Sequence, residues 1–517
     1  MPSVDNEAVA LAHLPPPTNG KPQAAPSRGD LLRVVWERLH AAGIRYCRWK
    51  GGPWDLGRVV SGAGDMDLLV DRKGAVRFEG VLAFLGFKRA VDVTPPPLAY
   101  VSHYYGLDPA SGALIHLHVY TRLLTGDALT QNYRLPLEEL ILQSSAPRDG
   151  VLVVQPPAEL VLVVLRTMVK YASVSEYLLF PGAFATLHAR LHALLLVDDA
   201  VPHARELLGQ WLPCVDPNLF EECLASLQKQ TSFWHRFRLA RRLRRQLRPY
   251  RRFSTLAQRL LWGAVLADGA WRRLCGRRAS KSPACGGMVI AFVGADACGK
   301  STQVREATRW LSKVFRTESY HLGKPPSTWL TFLPNLAGRL VRRLVPRSAA
   351  GPAAGSPSGA GRPGFLYGCH AVLLAWDRRA LAHRLTRRAA AGWIVVCDRY
   401  PSPVVGAMDS ARLSLPPPGV GKHSLIDRLA LLENRLYCQV PPPDVVIQLS
   451  APVELAVERN RSRREDGKER ESEAYVRHRH ATAVPATFRN AHVIDVVTDR
   501  PLPETLRTVQ SLLWDLL

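Results

Sequence analysis

Apolar and polar positions divide the chain into four blocks. From about Gly29 to Tyr120 the pattern is mixed: Leu31–Ala42 repeats at helical spacing, whereas Asp67–Val70 and Ile115–Tyr120 read as strands. Between about Pro136 and Leu227, Leu- and Ala-rich stretches recur at the spacing of amphipathic helices. A basic stretch follows, Arg236–Arg278, with 14 arginines and a single acid, Asp268. From about Gly287 to Leu517 apolar strands alternate with helical segments. Met288–Val293, Trp393–Cys397 and Val445–Leu449 are the strands, an order that predicts an α/β fold with a parallel sheet flanked by helices. Inside this block Arg347–Gly364 is a Pro/Gly/Ala/Ser insertion with nothing to pack, the composition of a flexible loop. The expected organisation is a disordered tail (1–28), an α+β domain (29–135), a helical region (136–235), a basic helical linker (236–286) and the parallel α/β domain (287–517). No internal repeat is visible.

The strand Met288–Val293 runs without a gap into Gly294-Ala295-Asp296-Ala297-Cys298-Gly299-Lys300-Ser301-Thr302, and a helix-compatible segment, Gln303–Phe315, comes next. Glycines let such a loop wrap a phosphate closely, and its N–H groups with the following helix N-terminus supply positive potential. All nine loop residues are candidates for binding ATP; Lys300 is suited to the β/γ-phosphates and the Ser301 hydroxyl to Mg²⁺. A chance glycine-rich turn would match in only about a few per cent of chains this long. Further on, Trp393–Cys397 ends in Asp398-Arg399-Tyr400-Pro401. An acid at the end of a buried strand beside the loop stands where a Mg²⁺ ligand is needed, and Arg399 can hold a second phosphate. Alone, the pair would read as a strand-end salt bridge. The run Glu458–Arg470 reads alone as a solvated charged helix. Beside a phosphoryl-transfer site it becomes a mobile lid whose Arg461, Arg463 and Arg464 can neutralise transition-state charge.

Composition narrows the partners. Lys and Arg number 68 against 44 Asp and Glu, and the net charge of +24 favours anionic partners without choosing among them. The nine cysteines form no CxxC pair or metal-like spacing, which argues against a structural zinc site or a disulfide framework and fits a reducing cytosol. The first residues lack the order of a signal peptide, and the longest apolar runs, such as Leu160–Leu165, fall far short of a membrane span. The expectation is a soluble, cytoplasmic protein.

These motifs carry a resemblance. The C-terminal block is similar to thymidylate kinase and its nucleoside monophosphate kinase relatives over about two-fifths of the chain. The matching pieces come in the family's order: the loop with Asp296 at its third position, Asp398-Arg399-Tyr400, the strand entry Pro443-Asp444, and the Arg-rich lid. The resemblance implies ATP- and Mg²⁺-dependent phosphorylation of a nucleoside monophosphate, dTMP in the family. It places Asp296 at the sugar 3′-hydroxyl, Arg399 on the acceptor phosphate, Arg378 of Leu373-Leu-Ala-Trp-Asp-Arg378 on the base, and Tyr400 where ribonucleotides are disfavoured. The chain departs where the family has Arg-Glu-Pro-Gly: it carries Leu322-Gly-Lys324-Pro325-Pro326, and Lys324 replaces the Arg as a charge but not as a bidentate fork.

In the N-terminal block, Lys50-Gly51-Gly52, twelve further residues and Asp65-Met-Asp67 resemble a nucleotidyltransferase signature, and the whole chain is similar to thymidylate-kinase-like proteins fused to such a half. Carboxylates at i and i+2 share one strand face and can hold Mg²⁺ ions that clamp a triphosphate. The bland alternative is a strand with an exposed acidic face. A third carboxylate is missing: the neighbouring strand offers His116 and His118, and Asp108 falls in an apparent turn. An active nucleotidyltransferase using Asp65 and Asp67, and a non-catalytic nucleotide-gated protein on an anionic surface, are the alternatives to the kinase. In the basic stretch, Phe233, Phe237, Ala240, Leu243 and Leu247 make a helical stripe ended near Pro249. It suits packing on a domain first, an anionic membrane surface through 236–278 second, and nucleic acid least. Nucleotides are the expected partners, and a homodimer stays open.

Overall fold

Apolar runs form the centres of two sheets, one in each of the two units into which the chain divides, Met1–Ala279 and Ser280–Leu517. The computed structural model describes residues 30–50, 55–93, 100–127, 129–148, 150–170, 183–229, 231–274, 281–295, 297–329, 331–333, 336, 364–402, 409–416, 424–461 and 491–517. The expected tail, the insertion up to residue 363, Gly51, Gly52, Asp296, Arg463 and Arg464 lie outside them; of Arg461 only the backbone is described.

The first unit opens with α1 (Asp30–Ala41), β1 (Tyr46–Arg48), α2 (Asp55–Val60), β2 (Asp65–Val70) and α3 (Ala75–Phe84). β3 (Lys88–Asp92), β4 (Val101–Leu107), β5 (Leu114–Tyr120), the short pair β6 (Leu123–Thr125) and β7 (Tyr133–Leu135), α4 (Glu138–Gln143), β8 (Ser145–Arg148) and β9 (Val151–Val154) follow. Strands of the main sheet lie in the order β3-β4-β5-β2-β1-β9-β8. β2 pairs parallel to β5 and antiparallel to β1. One face is covered by α1 and α3, whose Val35, Leu39, Phe78 and Leu82 meet Leu68, Ile115 and Leu117 in a common core.

A helical layer completes this unit: α5 (Pro156–Lys170), α6 (Ala183–Leu195), α7 (Ala200–Trp211), α8 (Pro217–Gln228), α9 (Phe233–Gln246) and α10 (Thr255–Leu274). The apolar run Leu160–Leu165 is the buried middle of α5, hydrophobic all round because other elements cover it. The arginine-rich α9 is part of the core and not a free linker: Leu239, Ala240, Leu243 and Leu247 are buried with α5 and α8, and Arg242 reaches Glu222 at 2.7 Å. Phe233 and Phe237, the start of the stripe, stack on each other half-buried. By contrast, α10 buries no residue; Gln258 ties its first turns to Asn132 (2.7 Å) and Asp127 (2.9 Å). None of the described helices is long and apolar enough to cross a membrane.

The second unit contains β10 (Lys281–Pro283), β11 (Met288–Gly294), α11 (Lys300–Leu311), β12 (Thr317–His321), α12 (Phe365–Ala390), β13 (Ile394–Asp398), α13 (Leu425–Cys438), β14 (Val445–Ser450), α14 (Val453–Arg461), β15 (His492–Val497) and α15 (Leu502–Leu516). Its five-stranded sheet runs β12-β13-β11-β14-β15, and every pairing is parallel. Burial on both faces explains why β11, β13 and β14 read as mostly apolar runs in place of alternation, broken in β14 only by the buried Gln448. The carboxyl ends of β11 and β13 are side by side, with Phe292 opposite Asp398.

The burial of α9 has a measurable consequence. Leu243→Ala, at a fully buried position, should cost about 2–5 kcal/mol, whereas Leu256→Ala on the exposed face of α10 should stay within about 0.5 kcal/mol. Urea unfolding followed by circular dichroism distinguishes the two; equal small effects would show that α9 does not belong to the core.

Candidate functional site

At the carboxyl end of β11 the backbone turns through Gly294, whose φ is +141°. A Cβ there would lie 2.1 Å from the Leu449 carbonyl oxygen of β14, so only glycine allows β14 this close. Gly299, with φ +88°, ends the loop as the N-cap of α11. The loop thus delivers its chain to the N-terminus of α11, the end of a helix that carries positive potential. Lys300 bends back over it and donates to the carbonyls of Gly294 (3.0 Å) and Ala295 (2.5 Å). From the far side Thr498 Oγ1 donates to the Cys298 carbonyl (3.2 Å), and Arg459 holds Thr498 (2.9 Å to its carbonyl). Ala295, Ala297 and Cys298 are buried in the loop itself. Thr302 continues into the first turn of α11, its N–H bonded to the Gly299 carbonyl.

Ser301 and Asp398 are brought together. The Ser301 hydroxyl donates to Asp398 Oδ2 at 2.7 Å, while Asp398 Oδ1 is buried without a hydrogen-bond partner. An unpaired buried carboxylate oxygen costs on the order of 1–3 kcal/mol or more, and a hard cation removes that cost. Hydroxyl and carboxylate oxygens are donors of the kind Mg²⁺ takes. The residues present therefore fit the ion.

The acceptor-side candidates are held differently. Arg399 has a left-handed backbone (φ +71°), and its guanidinium lies 3.3 Å from Asp409 Oδ2. Arg378 is buried, and every one of its donors is used: Nε on the Leu322 carbonyl, Nη1 on the Asp409 carbonyl and the Tyr437 hydroxyl, Nη2 on the Gly323 carbonyl and Asp409 Oδ1. With five N–H groups committed, the side chain clamps the 322–323 turn and presents no free edge to a base in this state. Its neighbour Asp377 accepts from the Thr328 N–H (3.0 Å) and Thr331 hydroxyl (2.6 Å), fixing the continuation of the same loop. Lys324 is exposed at that loop's tip. Tyr400 turns into the core beside Leu381 and Val395 and donates to the Pro441 carbonyl (2.8 Å). Asp409, Tyr437 and Thr498 were not legible as site residues, because each acts through a partner remote in sequence.

A glycine-bounded loop between a buried strand and a helix N-terminus, with an acid ending the adjacent strand, is the arrangement found in P-loop nucleotide-binding folds. No protein-family model matches the chain. It is 27% identical over 236 residues to thymidylate kinase of Synechococcus, covering 44% of this chain and 95% of that enzyme. The uncharacterized ATP-binding protein YghR of Escherichia coli K12 is 27% identical over 180 residues, 33% of this chain and 68% of that protein. Among solved structures, thymidylate kinase from Candida albicans is 15% identical, with a TM-score of 0.26, over 45% of this chain and 91% of that one. The chain is thus weakly similar to a nucleotide kinase and to an ATP-binding protein.

The first unit holds a second constellation. Asp65 and Asp67 project from one face of β2, and the parallel register sets His116 beside Asp65 and His118 beside Asp67. His118 Nδ1 is 3.1 Å from Asp67 Oδ1 and 3.8 Å from Asp65 Oδ2. The place for which the sequence offers no third acid is taken by this imidazole. Asp108 is not part of the group; buried in the turn after β4, it accepts from the Ser111 N–H. Lys50 donates to Asp67 Oδ1 (3.2 Å) and the Tyr120 hydroxyl (2.7 Å), its ammonium over the Trp49 and Tyr120 rings. Burial favours protonation of Asp67, but His118, Lys50 and Arg166 outweigh it and hold the carboxyl well below the usual range. Burial lowers Lys50 to about 8, Asp67 offsetting part of the effect.

That shift predicts a pH dependence. Between pH 8 and about 10.5 the native state has released a proton that the unfolded state keeps, so stability rises with pH in this window. Lys50→Met lacks the group. Its stability relative to wild type should therefore be highest near pH 7 and fall by pH 10 in paired urea titrations; a pH-independent difference would contradict the shift.

Proposed function

We propose that the second unit transfers the γ-phosphoryl group of ATP to a nucleoside monophosphate, with dTMP as the first acceptor to test. The observation that carries this reading is the buried, unpaired Asp398 Oδ1 beside Ser301 at the mouth of a lysine-capped phosphate loop. Similarity to a thymidylate kinase over nearly that enzyme's full length supports the kinase class. Bound Mg²⁺ would neutralise phosphate charge and orient the β- and γ-oxygens. Lys300 would exchange its carbonyl partners for the phosphates, a stronger pairing because both members are charged.

Arg399 stands at the strand end beside Asp398 and carries the charge an acceptor phosphate requires. Arg378 serves first as a positioning residue, since its bonds set the Lys324 loop and Asp409 together. Asp296, Arg461, Arg463 and Arg464 keep the roles that the family resemblance gives them, the sugar hydroxyl for the first and transition-state charge for the others.

A panel of nucleoside monophosphates assayed for ADP release tests the proposal. One or more should stimulate ADP formation well above the rate with water alone, and Lys300→Ala should lower kcat/KM by about 10²–10³. Absence of stimulation by any monophosphate, with ATP bound, would overturn the acceptor class. Unchanged ATP affinity in Lys300→Ala would overturn the loop assignment itself.

A further inference from the structure

The Asp65/Asp67/His118 group has a geometry and a donor set that the kinase reading does not use. Two successive same-face carboxylates on β2 meet an imidazole on β5, and one ligand atom from each lies within 4.8 Å of the other two. Bonds of about 2.0–2.2 Å to a single ion require ligand–ligand edges of roughly 3–3.5 Å. The two edges from His118 Nδ1, 3.1 and 3.8 Å, match that requirement within a small side-chain adjustment.

The imidazole is held in place before any ion arrives. Its ring stacks on His103 (4.5 Å, 13°) and leans on Tyr120 (4.6 Å, 54°). His116, the other histidine on this strand face, is engaged elsewhere: its Nε2 pairs with His103 Nδ1 (3.0 Å), its ring stacks on Tyr105, and His103 Nε2 meets Asp92 (3.1 Å). One nitrogen donor therefore joins two oxygen donors, and the exposure of Asp65 leaves a side open to solvent.

That composition decides the class of ion. Mg²⁺ favours oxygen-only octahedra and keeps its waters, whereas imidazole nitrogen favours Zn²⁺, Fe²⁺, Ni²⁺ and Cu²⁺, with Mn²⁺ between the two groups. Three protein ligands with an open position is also the arrangement of reactive zinc centres. Lys50 supplies the counter-charge in the ion-free state, on the same Asp67 oxygen that faces His118.

We propose that Asp65, Asp67 and His118 bind one first-row transition divalent ion in preference to Mg²⁺, and that the Lys50 ammonium competes with the ion for Asp67. This site lies in the first unit and is independent of the proposed kinase reaction.

Calorimetry with the full chain, free of nucleotide, tests both clauses with Zn²⁺, Mn²⁺ and Mg²⁺, and Co²⁺ absorption reports nitrogen ligation in the wild type. Zn²⁺ should bind at a site that Asp67→Asn removes, and His118→Ala should weaken it by about 10–100-fold. His118→Asp should reverse the preference, gaining Mg²⁺ affinity as it loses Zn²⁺. Lys50→Met should tighten Zn²⁺ by about tenfold, equivalent to roughly 1.4 kcal/mol of competition for Asp67 removed, a gain that misfolding cannot produce. Equal Zn²⁺ affinity in wild type and His118→Ala, or tighter Mg²⁺ than Zn²⁺ binding in the wild type, overturns the ion assignment. Unchanged affinity in Lys50→Met overturns the competition.

Discussion

The parallel pairing of β11 with β13 sets Phe292 opposite Asp398 and so delivers a carboxylate to the hydroxyl of Ser301 at the start of the next helix. One oxygen of that carboxylate is satisfied and the other is buried without a partner. Water would relax such an arrangement if the surroundings could yield. They do not yield easily, because both strands are buried on both faces and the loop is pinned by β14 against Gly294. Thr498, backed by Arg459, fixes the loop from the β15 side. The sheet thus keeps one carboxylate oxygen unpaired, and on the proposed reading rigid packing would turn that local deficit into affinity for a cation.

On the opposite side of Asp398 the arrangement is governed by one guanidinium. Arg378 ties the turn after β12, the Asp409 segment and α13 through Tyr437, and Asp409 in turn lies against Arg399. Gly323 sits so close that an added Cβ would fall 3.0 Å from Asp409 Oδ1 and 3.1 Å from Arg399 Cδ. The lysine that replaces the resembled family's arginine therefore stands on a turn whose position is set by α12 and not by the ligand. On the proposed reading, an acceptor phosphate would meet Arg399 with the Asp409 carboxylate already beside one of its nitrogens, so the two anions would share or compete for one guanidinium.

The sequence made β11, β13 and β14 legible because burial on both faces leaves mostly apolar runs, while the half-exposed β12 and β15 carry no such signal; the glycine-bounded loop after β11 stood out because its residue types recur at fixed offsets. Asp398 followed from its place at a strand end. Arg378 was legible as a residue and not as a clamp: three of its five partners are backbone carbonyls, which carry no sequence signal, and its side-chain partners are remote in sequence. His118 was visible as a histidine on an alternating strand. Its placement depends on the β2–β5 register, which pairing alone fixes. In the basic stretch the arginines dominated the composition, yet α9 is decided by four apolar side chains that the core absorbs.

Each unit places an ammonium on oxygen atoms that a ligand would claim, and the two differ in what release requires. Lys300 rests on neutral carbonyls, so on the proposed reading a phosphate would gain it readily and leave behind groups that water can satisfy. Lys50 rests on a carboxylate in a largely buried setting, and the aromatic rings of Trp49 and Tyr120 add to its hold. Removing Lys50 from Asp67 without a replacement cation would leave a buried negative charge with only His118 and the more distant Arg166 to offset it. On the two proposed readings, the first arrangement would be a latch that an anion opens, and the second would yield to another cation, with the imidazole beside it selecting which cations qualify.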